Sequence, residues 1–271
     1  MSEIENERLQ VSDTPVNKGV IPINAVNVWD YTKQRNALIA GNVGTGKTSL
    51  LLSIIGQLLT QTSHVTIADT KGADLSQLAH IDDLKEQVFS DFEGTLKAIG
   101  QFYDEMLETK KKAIQSSDDG FLMLFPENKP HFLVIDELNY FVEYGNNLEY
   151  GTELYKSFHE TMSKLVQIGL VGSGFGCYLI ISSSLPSAEY LSVILRNQLT
   201  LRINMGRPTA SVEAIMFSDN HEILPRFPKR MTGLGYLQTS DLDVIPFRSP
   251  KIPKDFDLHD YINQQIAKRT S

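Results

Sequence analysis

Three short runs of this chain, Asn36 to Ala40, His131 to Ile135 and Cys177 to Ser182, are apolar at nearly every position instead of at every second one, and His64 to Asp69 is a further strand-like run that ends in an acidic residue. Continuous apolar runs of this length predict strands covered on both faces, as in a wound, mainly parallel sheet. Between them the period changes. Ser49 to Leu59 repeats leucine and isoleucine at helical spacing, and Asp91 to Ile114 places Phe92, Leu96, Ile99, Phe102, Tyr103, Met106 and Leu107 three and four residues apart. A third helix is expected from Thr152 to Ile168 on Leu154, Phe158, Met162 and Leu165, after a polar loop over Glu143 to Glu153. Strands alternating with helices define an α/β fold with a mainly parallel sheet and helices on both faces.

Flanking pieces are shorter. Val20 to Trp29 predicts an edge strand and covering turn, with Trp29 as a packing residue rather than a stacking platform for bases. Gly169, Gly172, Gly174 and Gly176 should break the third helix. Because no lysine follows them, they read as a flexible connection and not as a second phosphate loop. Leu191 to Leu195 and Val212 to Phe217 predict short helices, and Thr200 to Met205 a strand. Gly235 to Leu237 with Val244 to Phe247 predict a closing hairpin, and Tyr261, Ile262 and Ile266 a short amphipathic piece. The expected division is a flexible lead-in over 1–18, one core domain over 19–250, and a carboxyl-terminal tail over 251–271.

Composition narrows the picture. With 271 residues, 41% of them hydrophobic, the chain has material for one large domain. Its net charge of −8 argues against a surface that coats nucleic acid indiscriminately, so any such contact must be local. Lys110, Lys111 and Lys112 fit a solvated helix end better than a phosphate contact. Cys177 is the single cysteine, which excludes an intrachain disulfide and a cysteine metal cluster. The first residues are acidic, and no apolar run reaches the ~18 residues of a membrane span. A cytoplasmic protein is expected.

Candidate chemistry lies at two strand ends. Gly41-Asn42-Val43-Gly44-Thr45-Gly46-Lys47-Thr48 fits G-x-x-x-x-G-K-[ST], followed by Ser49 and flanked by a predicted strand and helix. Glycines let backbone N–H groups close around phosphate oxygens at a helix N-terminus. In such a loop Lys47 bridges the β- and γ-phosphates of ATP, and Thr48 is a ligand for Mg²⁺. The second site ends the run His131 to Ile135 with Asp136 and Glu137, 89 residues after Lys47. There Asp136 would hold Mg²⁺ and Glu137 would activate the attacking water as general base.

The order of motifs resembles the motor domain of the FtsK/SpoIIIE family of DNA translocases, within the wider FtsK–HerA group that includes conjugative coupling proteins. The resemblance runs from about Asn36 to Phe247. It is carried by the Gly41 to Thr48 loop, Asp69-Thr70-Lys71-Gly72-Ala73-Asp74-Leu75, Ile135-Asp136-Glu137-Leu138, Ser182 to Pro186, and Leu199-Thr200-Leu201-Arg202-Ile203. It implies a RecA-like P-loop NTPase that uses ATP and Mg²⁺, acts on DNA in a homo-oligomeric ring, and works beside conjugation or replication proteins. Two departures from the family pattern stand out. Ser184 and Leu185 stand where a sensor glutamine and an arginine are usual, and Ser173 stands where an arginine finger often lies. Ser184 is therefore the candidate sensor, and Arg202, with Arg196 and Arg207, the candidate substitute finger. The resemblance stops short of the family's membrane-spanning amino terminus and winged helix.

Overall fold

The computed structural model describes residues 19–116, 129–217, 227, 232–238, 243–251, 253 and 255–269. The expected lead-in over 1–18 lies outside these residues, as does most of the segment from Ser116 to Pro130, whose sequence predicts a turn-rich link.

Two strands open the described chain, β1 (Val20–Pro22) and β2 (Val28–Asp30). They pair antiparallel as a separate two-stranded ribbon instead of forming an edge of the main sheet. Trp29 carries the ribbon inward. It is fully buried, donates its indole N–H to the Gln34 carbonyl, and packs edge-on against Tyr31 and Phe132.

The core strands are β3 (Ala37–Gly41), β4 (Val65–Asp69), β5 (Val88–Ser90), β6 (His131–Asp136), β7 (Cys177–Ser183) and β8 (Leu201–Met205). They run parallel in the order β8-β3-β7-β6-β4-β5, and the antiparallel hairpin β9 (Leu234–Gln238) with β10 (Val244–Arg248) extends the β8 side. Every residue of β3 and β7 is buried, which is why those segments read as unbroken apolar runs.

Alternate side chains feed two cores. Ala37, Ile39, Val134 and Ile180 meet α1 (Lys47–Leu59) and α7 (Leu258–Ala267) on one face. Leu38, Ala40, Leu133, Ile135 and Ile181 join the other core, which is packed by α2 (Asp91–Ser116) and α4 (Glu153–Val171). The tail helix α7 is thus part of the packed domain. A Cβ on Gly56 of α1 would fall 2.7 Å from Tyr261 Cε1, so glycine admits the close approach of that ring.

Three expectations change. Leu138–Asn146 forms a helix, α3, where loop was expected from Glu143; its nine residues are too short to display a period, yet they bury Leu138, Phe141 and Val142. The helix α4 continues through Gly169 to Val171, and glycine there admits the close approach of α5 (Val193–Gln198), since an added Cβ would lie 2.7 Å from Leu195 Cδ1. A tight 3-10 turn, Gly172–Phe175, follows, with Gly172 and Ser173 buried and Gly176 closing it in left-handed backbone at φ 75°, so a packed turn stands where a flexible connection was expected. The last helix of the core region is α6 (Ala210–Met216).

Candidate active site

All the polar sequence motifs except the arginines converge where β3, β4, β6 and β7 end, at the carboxyl edge of the sheet. In an α/β sheet this edge, beside a reversal of strand order, is where ligands sit. The strand β3 lies between β7 and β8, and its chain passes straight into the loop Gly41 to Gly46. Gly46 caps α1 with a left-handed φ of 99°, and Gly44 has φ 81°. Asn42, Val43 and Gly44 are exposed, Thr45, Thr48 and Ser49 are partly buried, and Lys47 is buried. The loop closes on itself, since Thr45 donates its hydroxyl to the Asn42 carbonyl at 2.7 Å. It is also braced from outside, where Gly233 N–H donates to the Thr45 carbonyl at 2.9 Å and the Thr232 hydroxyl to the Gly44 carbonyl at 3.1 Å.

Lys47 and the two acids form one charge network. Lys47 Nζ ion-pairs with Glu137 Oε1 and lies 3.9 Å from Asp136 Oδ1. Ser182 donates its hydroxyl to Asp136 Oδ1 and accepts from Glu137 N–H at 3.0 Å. On the other carboxylate oxygen, Glu137 Oε2 accepts from the Ser184 hydroxyl at 2.7 Å and Ser184 N–H at 3.3 Å, with Lys71 Nζ at 3.4 Å. Asn139 fixes Ser184 in turn, donating to its hydroxyl at 3.3 Å and accepting its N–H at 3.2 Å.

The same surroundings push the two acids apart. Burial raises the Asp136 carboxyl above the usual carboxylate range, against the pull of Lys47 and Ser182, with Glu137 and Asp69 adding to the rise. Burial works on Glu137 too, but hydrogen bonds from Lys47 and Ser184 and the charges of Lys47 and Lys71 outweigh it and hold the carboxyl below its ordinary value. Glu137 also sits in left-handed backbone, φ 55° and ψ 52°, as the residue capping α3. A non-glycine residue there carries about 1–3 kcal/mol of local strain, of a kind found at functional sites.

Asp69 builds the neighbouring loop. Its carboxylate accepts from the N–H groups of Lys71 at 3.3 Å, Ala73 at 2.7 Å and Ser76 at 2.9 Å. Thr70 then donates its hydroxyl to the Glu137 carbonyl at 3.1 Å. Register explains the meeting, because Asp69 lies opposite Asp136 on adjacent parallel strands.

A buried ammonium at the base of a glycine loop fits a polyphosphate. The Thr48 hydroxyl and the Asp136 carboxylate offer hard oxygen donors suited to Mg²⁺ shared with phosphate oxygens. Among the described residues, no cluster of three or more His, Cys, Asp or Glu is arranged to hold a metal by itself.

Arg202 does not belong to this group. It pairs in register with Leu38, near the start of β8, about 10 Å of strand from the carboxyl edge. Its guanidinium donates to the carbonyls of Leu199 at 2.9 Å, Arg196 at 3.1 Å and Met216 at 3.2 Å. Those bonds brace the turn before β8 and the end of α6. Arg207 is exposed and follows Gly206, which touches the loop through Thr45. Sequence reading did not single out Thr70, Asn139 or Ser182 as site residues, or Lys71 beyond its place in a motif. Asn139 lies two residues after Glu137 and the others lie inside motif runs, so proximity to the motifs was the available signal.

A glycine-loop strand, a buried lysine and a paired-acid strand on a parallel sheet define a P-loop ATPase. Residues 3–212 match the FtsK/SpoIIIE family, and the chain belongs to it. It is 28% identical over 267 residues to the FtsK domain-containing protein YdcQ of Bacillus subtilis, covering 98% of this chain and 53% of that protein. It is 23% identical over 215 residues to the DNA translocase FtsK of Helicobacter pylori, covering 74% of this chain and 24% of that one. The chain therefore spans about half the length of the first relative and a quarter of the second. In fold it is similar to the pCW3 conjugation coupling protein TcpA, determined with ATPγS, at a TM-score of 0.71 and 18% identity over 96% of this chain and 74% of that one. The cytoplasmic domain of EssC gives 0.67 at 16% identity over 91% and 47%. No helix among the described residues is long and apolar enough to cross a membrane.

Proposed function

We propose that this chain binds ATP on residues Gly41 to Ser49 and hydrolyses it to move or remodel DNA, as the motor of a mobile element such as a plasmid, conjugative element or phage. The observation that carries the catalytic part is the single network joining Lys47, Asp136 and Glu137 at the sheet edge. Lys47 exchanges its carboxylate partner for the β- and γ-phosphate oxygens, which leaves Glu137 Oε1 free to accept a proton from water. Thr48 and Asp136 would hold Mg²⁺, which when bound would neutralise charge on the phosphate oxygens. Ser184 is the candidate sensor in this scheme, and exposed Arg207 a better candidate finger than Arg202.

Action on DNA is supported by the family and by the name of the Helicobacter relative, and a conjugative setting by the likeness in fold to a coupling protein. The working unit is a homo-oligomeric ring in the cytoplasm that meets conjugation or replication proteins. Residues 1–18 form a lead-in, 19–250 the ATPase domain and 251–271 a tail whose helix docks on α1.

A second reading, a nucleotide-gated DNA- or protein-binding switch with weak hydrolysis, is favoured by Ser184. Its hydroxyl is engaged by Glu137 and Asn139, and Ser173 is buried. Steady-state ATP hydrolysis with and without duplex DNA separates the two. The motor hydrolyses ATP and speeds up on DNA, whereas ATP that binds and stays intact in both conditions leaves the switch.

A further inference from the structure

Once Lys47 passes to a phosphate, Glu137 Oε1 loses its partner, and whatever orients the carboxylate must act on Oε2. Two residues do so in this structure, Ser184 and Lys71. We propose that Lys71 is a positioning residue: with Ser184 it pins Glu137 Oε2, so that the carboxylate keeps its plane while Oε1 is released. This deepens the hydrolytic reading above and rests on it.

Lys71 is itself held from both sides of the site. Its N–H is bound by Asp69 Oδ1 at 3.3 Å, and its ammonium lies 5.6 Å from the centroid of the Tyr140 ring. Tyr140 stands in the first turn of α3, where its N–H bonds the Glu137 carbonyl at 2.9 Å. That carbonyl also accepts from Thr70, the residue before Lys71. The loop after β4 therefore grips Glu137 by backbone and side chain at once, across the one junction whose left-handed backbone sets the direction of the side chain. The Lys71 side chain is 37% exposed while that of Glu137 is 9% exposed. Screening weakens a pair with one exposed partner, so Lys71 adds a small increment of stability beside its part in orienting the carboxylate. A carboxylate held at one oxygen by an ammonium, a hydroxyl and an N–H cannot turn without breaking all three. Misplacement of a reacting group by about 1 Å lowers rates by about 100-fold.

The test compares Lys71→Ala and Lys71→Arg with the parent protein. Lys71→Ala should lower kcat by about 10- to 100-fold while the Kd for ATP changes by less than about twofold, and Lys71→Arg should recover most of the rate. A second readout needs no turnover. In a thermal-unfolding cycle without nucleotide, Lys71→Ala should shift the midpoint in the parent and much less in the Glu137→Gln background. Equal shifts in both backgrounds, or Lys71→Ala turning over ATP within about twofold of the parent, would reduce Lys71 to a solvated lysine resting on Tyr140. If the parent hydrolyses no ATP with or without DNA, the hydrolytic reading fails by itself, and the unfolding cycle still decides whether Lys71 holds Glu137.

Discussion

Lys47 pairs with two buried carboxylates, and in the proposed scheme the same ammonium serves phosphate oxygens. Removing it leaves buried Asp136 without its cation and Glu137 with Lys71 alone, and breaking such a buried pair costs about 3–5 kcal/mol. Lys47→Ala should therefore lose both thermal stability and ATP binding, and unchanged ATP affinity in that variant would refute its role in the loop. Glu137→Gln is the cleaner probe, since an amide keeps the shape but accepts no proton. It should bind ATP and hold it uncleaved, and turnover at the parental rate would show that Glu137 is not the base. A second residue-scale prediction concerns His64, stacked on His131 with ring centroids 4.2 Å apart, near Glu105, Lys129 and Arg269. Burial, with the His131 charge, pulls His64 below its ordinary 6.5. At pH above 6.5 it is neutral in both states. As pH falls below that value the unfolded chain takes up a proton that the folded chain resists, so stability declines on acidification. Replacing His64 with Phe keeps the stack without the proton, and its melting temperature should drop less between pH 7.5 and 5.5 than the parent's.

At the scale of elements, the turn after β8 matters because it supports the phosphate loop from the side. Gly206 has φ 78°, and a Cβ there would lie 2.7 Å from Thr45 Cγ2. Gly206→Ala should destabilise the protein by about 1–3 kcal/mol and weaken ATP binding together, because the clash is delivered to Thr45. Melting curves and ATP titrations check this, and a stability loss with unchanged affinity would separate the turn from the loop. Element by element, the buried parallel strands and the long helix α2 were legible in the sequence, since continuous apolar runs and a three-four spacing are local properties. The short helix α3 was not, because its nine residues follow the acid pair without a full period. The ribbon β1–β2 was read as a sheet edge, since three-residue strands do not announce their partners.

For the whole molecule, a net charge of −8 must be reconciled with the action on DNA proposed above. Basic groups on an acidic surface can line a channel only when subunits bring them together. DNA binding by Glu137→Gln should therefore need ATP and self-association, and should weaken steeply as salt rises. The measurement is binding at increasing ionic strength beside the mass in solution. A monomer that holds ATP and shows no affinity for DNA at low salt would point to the switch.

From residue order alone came the phosphate loop, the paired acids and the alternation of strands and helices, because backbone period and glycine geometry act over a few neighbours. The tertiary structure decided which of these groups touch. That Lys47 meets Glu137, that Lys71 and Ser184 share its other oxygen, and that Ser182 serves Asp136 depend on strand order β3-β7-β6-β4 and on a register no local pattern records. The same holds for Arg202, placed within a suggestive motif yet engaged by three backbone carbonyls, and for α7, an amphipathic tail piece until Gly56 admits Tyr261. Local sequence sets the elements, whereas contacts between residues tens of positions apart arise only from how the sheet is wound.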